Sequence, residues 1–67
     1  MAIGRVTEIT SGSKKSFEDA LEKGIARAVK TLKNVEGAWV QDQKVTLKNG
    51  KIEEYRVNMK VTFVLND

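Results

Sequence analysis

The stretch VTLKNGKIEEYRVNMKVTFVL, Val45–Leu65, decides the fold. At its centre Asn49-Gly50 supplies the pair of positive φ angles that a type I′ turn requires, the tight connection whose twist matches two antiparallel strands. Beyond the turn, Tyr55, Val57, Met59, Val61, Phe63 and Leu65 alternate with Arg56, Asn58, Lys60, Thr62 and Val64. A period of two over eleven residues predicts a strand with one core face and one mostly polar face. Before the turn, Trp39, Val45 and Leu47 share one parity, whereas Ala38 and Val40 share the other. The apolar phase therefore changes, and a β-bulge or bend within 41–44 is expected to let this strand curl.

Upstream of the hairpin lies one helix. Ser16 precedes Phe17-Glu18-Asp19, so its hydroxyl can cap the Asp19 amide while the acids face the positive end of the helix dipole. Phe17, Ala20, Leu21, Ile25, Ala28, Val29 and Leu32 then form a stripe at helical spacing. Lys30 and Lys33 suit the C-terminal end, and Asn34 is the expected stop. Gly24 costs this helix about 1 kcal/mol relative to Ala, which points to a close contact at that position. Before the helix, Ile3–Thr10 is rich in β-formers and runs into Ser11-Gly12-Ser13, which reads as a turn. The expected elements are β1 (3–10), α1 (17–33), β2 (36–48) and β3 (51–65). They make an α+β, β-α-β-β unit, a three-stranded antiparallel sheet partly wrapping one helix, as a single domain over 1–67.

Size bears on how such a unit becomes stable. A chain of 67 residues buries only about 60% of its unfolded surface when it folds alone. It has no Cys and no His, so disulfides and thiolate or imidazole zinc sites cannot reinforce it. Association with copies of itself is the remaining device, and two long free sheet edges invite it. Twelve Lys and Arg against nine Asp and Glu give a net charge of +3, which reads as solvated surface charge. Lys23, Arg27, Lys30 and Lys33 share their helix with Glu18, Asp19 and Glu22, and no aromatics interleave with them, so no nucleic-acid partner is expected. The N-terminal residues do not pattern as a signal peptide and no apolar run is long enough to span a bilayer; a cytoplasmic, membrane-free protein is the expectation. An enzyme is not expected either, because His and Cys are lacking and the serines fall at the turn and the cap.

Taken together, Ser16-Phe17-Glu18-Asp19-Ala20, Ile25-Ala26-Arg27-Ala28, Lys30-Thr31-Leu32-Lys33-Asn34, Asn49-Gly50-Lys51-Ile52, Tyr55-Arg56-Val57 and Lys60-Val61-Thr62-Phe63 resemble the dodecin family over essentially the whole chain. The resemblance implies a homo-dodecamer, a hollow shell that binds or stores a small ligand or ion, with flavin (riboflavin or FMN) or calcium as family ligands. It also implies a flavin site made by a Trp after the helix, which stacks on the isoalloxazine ring, and a Gln in the last strand, which hydrogen-bonds its polar edge. In this chain those positions fall on Gly37 and Arg56, and the one Trp, Trp39, lies two residues later. The Gly37–Gln43 and Tyr55–Val57 segments are closer to the dodecin-like or calcium dodecin branch, so flavin binding is expected to be weak or absent. Gly37, Trp39 and Arg56 are thus the candidate ligand-binding residues, each with a plainer alternative. Gly37 can be a strand irregularity, Trp39 a packing aromatic that instead becomes a stacking platform, and Arg56 a strand charge paired with a carboxylate rather than with an anionic ligand. Metal ligands are not assigned, since Glu18-Asp19 and Glu53-Glu54 are short, separate acidic pairs against the six to eight oxygens, roughly, that calcium takes. Two other readings remain: flavin storage through Trp39, and an interaction oligomer with no small ligand.

Overall fold

A computed structural model describes residues 3–65, in the order β1 (Ile3–Ser13), α1 (Phe17–Thr31), β2 (Val35–Lys48) and β3 (Lys51–Leu65). The sheet order is β1-β3-β2, antiparallel throughout, so the strictly alternating strand is the central one. Asn49 and Gly50 take φ of 53° and 76°, the left-handed pair expected for the type I′ turn.

The first strand runs three residues further than its composition suggests. Ser11, Gly12 and Ser13 stay in the ladder opposite Val57, Arg56 and Tyr55. Their turn-forming tendency is local, and the long partner strand overrides it with backbone hydrogen bonds. Ser13, only 4% exposed, donates its hydroxyl to Asp19 Oδ2 at 2.6 Å and accepts from the Lys15 amide at 2.9 Å, tying the strand end to the first helical turn. This hydrogen bond, and after it the contact with Lys23, hold the Asp19 carboxyl below its ordinary value. A depressed carboxyl stabilises above its unfolded pKa, so the tie is complete at neutral pH and is lost as acid protonates Asp19.

The helix starts as its cap residue dictates: the Asp19 amide donates to Ser16 Oγ at 3.0 Å, and the Ala20 amide to the Ser16 carbonyl at 3.1 Å. It ends at Thr31, two residues before the expected boundary at 33. Leu32 is already extended, with its amide still bonded to the Ala28 carbonyl, and its side chain turns to the core instead of continuing the spiral. Asn34 makes the reversal at φ 60°. Its Nδ2 donates to the Val64 carbonyl at 3.2 Å while the Val64 amide donates to the Asn34 carbonyl at 3.1 Å, clamping the reversal to the end of β3.

Ala20, Gly24 and Ala28, at i, i+4 and i+8, form the helix ridge on the sheet and are buried against Val57, Met59 and Val61. The close contact inferred for Gly24 is present. A Cβ there would stand 2.7 Å from Met59 Cε, closer than real Cβ atoms come, and 3.0 Å from Ser11 Cβ, a tight contact.

In β2 the phase change has the expected cause. Ala38 and Val40 lie opposite Val61 and Met59; the register then slips, and Gln43 and Val45 lie opposite Val57 and Tyr55. Gln41 is the extra residue. Two further irregularities, at Val35/Gly37 and Thr46/Leu47, leave Glu36 and Glu53 unpaired. The Gln41 bulge lets β2 present Ala38, Val40, Gln43 and Val45 on the helix side in succession.

The subunit is long and thin, 51 × 19 × 13 Å, because the β2–β3 hairpin projects beyond the start of the helix. Among the described residues five hydrophobic ones are buried (Ala20, Ala28, Val57, Met59 and Val61). Eight large ones are at least 41% exposed, among them Trp39 and Leu47 at 64% and 63%. A lone chain therefore leaves much of its apolar surface in water at about 25 cal/mol per Å².

Candidate functional site

The strand pleat fixes which side chains share the face away from the helix. On β3 these are Glu54, Arg56, Asn58, Lys60 and Thr62, the alternates of the buried Val57, Met59 and Val61. Through the register, Gly37 lies beside Thr62, Trp39 beside Lys60, Asp42 beside Asn58, and Lys44 beside Arg56. All three candidate residues, Gly37, Trp39 and Arg56, are thus on this outer face.

They are not together. Thr62 and Arg56 are six residues apart, so the Gly37 and Arg56 ends of the face are separated by about 20 Å along β3, and Trp39 is roughly 13 Å from Arg56.

At one end, Gly37 is exposed and accepts a hydrogen bond at its carbonyl from Thr62 Oγ1 at 3.2 Å. A Cβ on Gly37 would meet only Thr62 Oγ1, at an ordinary 3.6 Å, so the space over it is open. Trp39 stands next to this gap on an edge strand and finds little cover within its own subunit. Its register neighbour on β3 is Lys60, which is paired in turn with Glu8 on β1.

At the other end, Arg56 is flanked by Gly12 on β1 and Lys44 on β2. Its Nε donates to Glu54 Oε1 at 2.6 Å, so the carboxylate partner comes from its own strand. Glu54 lies flat against the bare Cα of Gly12, where an added Cβ would stand 2.6 Å from Oε2. Gly12 is therefore what admits the carboxylate, and Glu54 is what orients the guanidinium. Lys44 and Arg56 are directly across from each other in register, like charges that repel, and Glu54 is the carboxylate bound to Arg56. Thr46 Oγ1, in the same row as Glu54, is covered and has no hydrogen-bond partner.

Between these ends is a cluster that sequence reading missed. Thr10 Oγ1 donates to Asn58 Oδ1 at 2.7 Å, and Asn58 Nδ2 donates to Asp42 Oδ1. With Glu8 and Gln41 they line a polar depression of about 310 Å³. In an unbroken strand Asp42 would share the helix side with Val40; the Gln41 bulge turns it outward. The signal was the phase change itself, followed through to the residues it re-aims. The two acidic pairs, by contrast, have local roles: Glu18-Asp19 sit in the first helical turn, Glu53 is a bulge residue and Glu54 holds Arg56. Among the described residues no three His, Cys, Asp or Glu side chains converge as a metal site, and no helix is long and apolar enough to cross a membrane.

Comparison with known proteins agrees with this architecture. The family model described as Dodecin matches residues 3–66. Among solved structures, dodecin from Streptomyces davaonensis is 35% identical, with a TM-score of 0.93 over 98% of this chain and 97% of that one. A variant of the Thermus thermophilus dodecin is 27% identical, with a TM-score of 0.94 over 100% of both chains. Calcium dodecin from Mycobacterium tuberculosis, described as a calcium-chelating immunodominant antigen with a novel calcium-binding site, is 28% identical, with a TM-score of 0.84 over 96% of this chain and 91% of that one. No curated protein matches the sequence.

Proposed function

The chain belongs to the dodecin family, and we propose that it is the subunit of a homo-dodecameric hollow shell that holds a small ligand at interfaces between outer sheet faces without transforming it. The observation that carries this reading is the division of the outer face. An exposed indole stands toward one end and Arg56 with Lys44 at the other, about 13 Å apart along the face of one subunit and brought closer when two faces meet. The ligand such an interface suits is a flat aromatic carrying an anionic group: Trp39 offers stacking area, and Arg56, held at Nε by Glu54, keeps its terminal nitrogens for a phosphate. Plain flavin is held weakly, because Gly37 offers no ring at the position where the family's stacking Trp belongs. The function is binding, not catalysis. Ser11 and Ser13 are strand residues, correcting their expected place in a turn, and Ser16 is spent on the helix cap.

Titration with riboflavin and with FMN, followed by flavin fluorescence, tests this. FMN is expected to bind about tenfold more tightly than riboflavin through charge-assisted hydrogen bonds to its phosphate, with a gap that narrows at high salt. Equal affinities would remove Arg56 and Lys44 from the site.

The polar depression favours a second reading, cation binding. Glu8, Thr10, Gln41, Asp42 and Asn58 supply oxygens but only two carboxylates, fewer than calcium usually gathers, so a neighbouring copy would complete the shell. Calcium added alone, with Trp39 emission as the readout, tests it; no change at millimolar calcium rejects it.

A further inference from the structure

The helix side carries two uncovered apolar surfaces that the ligand reading does not use. One is the projecting hairpin tip, where Leu47 and Ile52 lie opposite each other at 63% and 51% exposure, past the reach of the helix. The other is the groove between α1 and β2, about 260 Å³, with Leu21 and Val40 in its walls. Val29, two turns along the same flank, is 52% exposed and extends that groove toward the helix C-terminus. Neither surface can cover the other within one chain, because the tip is a rigid continuation of the same two strands that form the groove wall.

Their charges are opposite. At 100° per residue, Glu18 and Glu22 fall on the groove flank of α1 with Leu21 and Ile25, while Lys23 and Arg27 fall on the flank facing β1. Glu18 lines the groove itself and Glu22 is exposed one turn on. The tip residues Leu47–Ile52 include Lys48 and Lys51, directly opposite in register, and no acid. Paired lysines repel across a hairpin, and carboxylates approaching from outside relieve that repulsion. Their long stems allow the charges to reach around while Leu47 and Ile52 enter the groove.

We propose that the hairpin tip of one copy docks into the α1–β2 groove of a second copy, with Leu47 and Ile52 filling the groove and Lys48 and Lys51 meeting Glu18 and Glu22. The contact rests on the assembly reading above and names a particular seam within it. It is on the opposite side of the sheet from the ligand face, so the two kinds of interface are separable.

Charge reversal at the tip, Lys48→Glu with Lys51→Glu, is expected to raise the concentration at which the assembly dissociates by about tenfold or more, with the wild-type assembly weakened by salt and the variant much less so. The groove variant Glu18→Gln with Glu22→Lys should weaken assembly similarly, and combining the two sets should restore it. Leu47→Asn, at an exposed position, provides a charge-neutral check on the apolar part, and circular dichroism of each variant confirms that it remains folded. Sedimentation velocity over a range of concentrations is the readout. An unmodified chain that is monomeric would overturn the assembly reading and this contact with it. A wild-type oligomer that the tip and groove variants leave unchanged would overturn the contact alone, and so would failure of the combined variant to recover.

Discussion

Riboflavin should bind about 10- to 100-fold more tightly when Gly37 is replaced by Trp and Arg56 by Gln, the magnitude that one base–aromatic stacking contact supplies. The substitution at Gly37 is sterically free. Its backbone is not in the left-handed region, and the first side-chain atom would meet only Thr62 Oγ1 at an ordinary distance. A ring placed there would stand on the outer face two residues before Trp39, about 6 to 7 Å along the same strand. Arg56→Gln exchanges a cation oriented by Glu54 for a neutral amide that can both donate and accept toward a flavin edge. The change leaves the buried core untouched, since Gly37 and Arg56 are both exposed. Fluorescence quenching by the double variant, set against each single variant, measures the gain. Affinity unchanged from the parent chain would mean that the outer faces do not meet around a ligand.

The largest effect on stability is expected at Met59. Met59→Ala should cost about 2–5 kcal/mol, the range for emptying a fully buried position. Met59 is 0% exposed, sits in register with Ile9 on one side and Val40 on the other, and closes over Gly24 of the helix. It thus stands between all four elements. Against a total of about 5–15 kcal/mol for an ordinary domain, and with four other hydrophobic residues buried among those described, that loss is a large share of what holds the subunit together. Urea unfolding at two protein concentrations is the appropriate measurement, because association adds concentration-dependent stability to whatever the subunit has alone. A loss below about 1 kcal/mol would place the core elsewhere.

Much of this fold is legible in the sequence because its strongest signals are periodic and locally enforced. The Asn49-Gly50 turn, the alternation from Tyr55 to Leu65 and the Ser16 cap each specify geometry through a few neighbouring residues, and each is present in the structure. The phase change in β2 was legible as well, and Gln41 is its cause. What was not legible depends on partners remote in sequence. Ser11-Gly12-Ser13 has the composition of a turn, and only the length of β3 keeps it in the sheet. Leu32 leaves the helix early to reach the core, a choice made by packing against strands rather than by helix propensity. The candidate site was legible as residues and not as a place. Gly37, Trp39 and Arg56 share a face, yet their separation follows from register, which one chain's spacing does not reveal. Asp42 and Asn58 were missed because a single bulge decides which way Asp42 points.

The assembly proposed above requires that this subunit complete its packing against copies of itself. Native mass spectrometry at micromolar protein addresses it directly, reporting copy number and any retained ligand in one spectrum. The prediction is a particle of twelve 7.5 kDa chains, about 90 kDa, that loses subunits only on activation. A stable single chain at that concentration would contradict it.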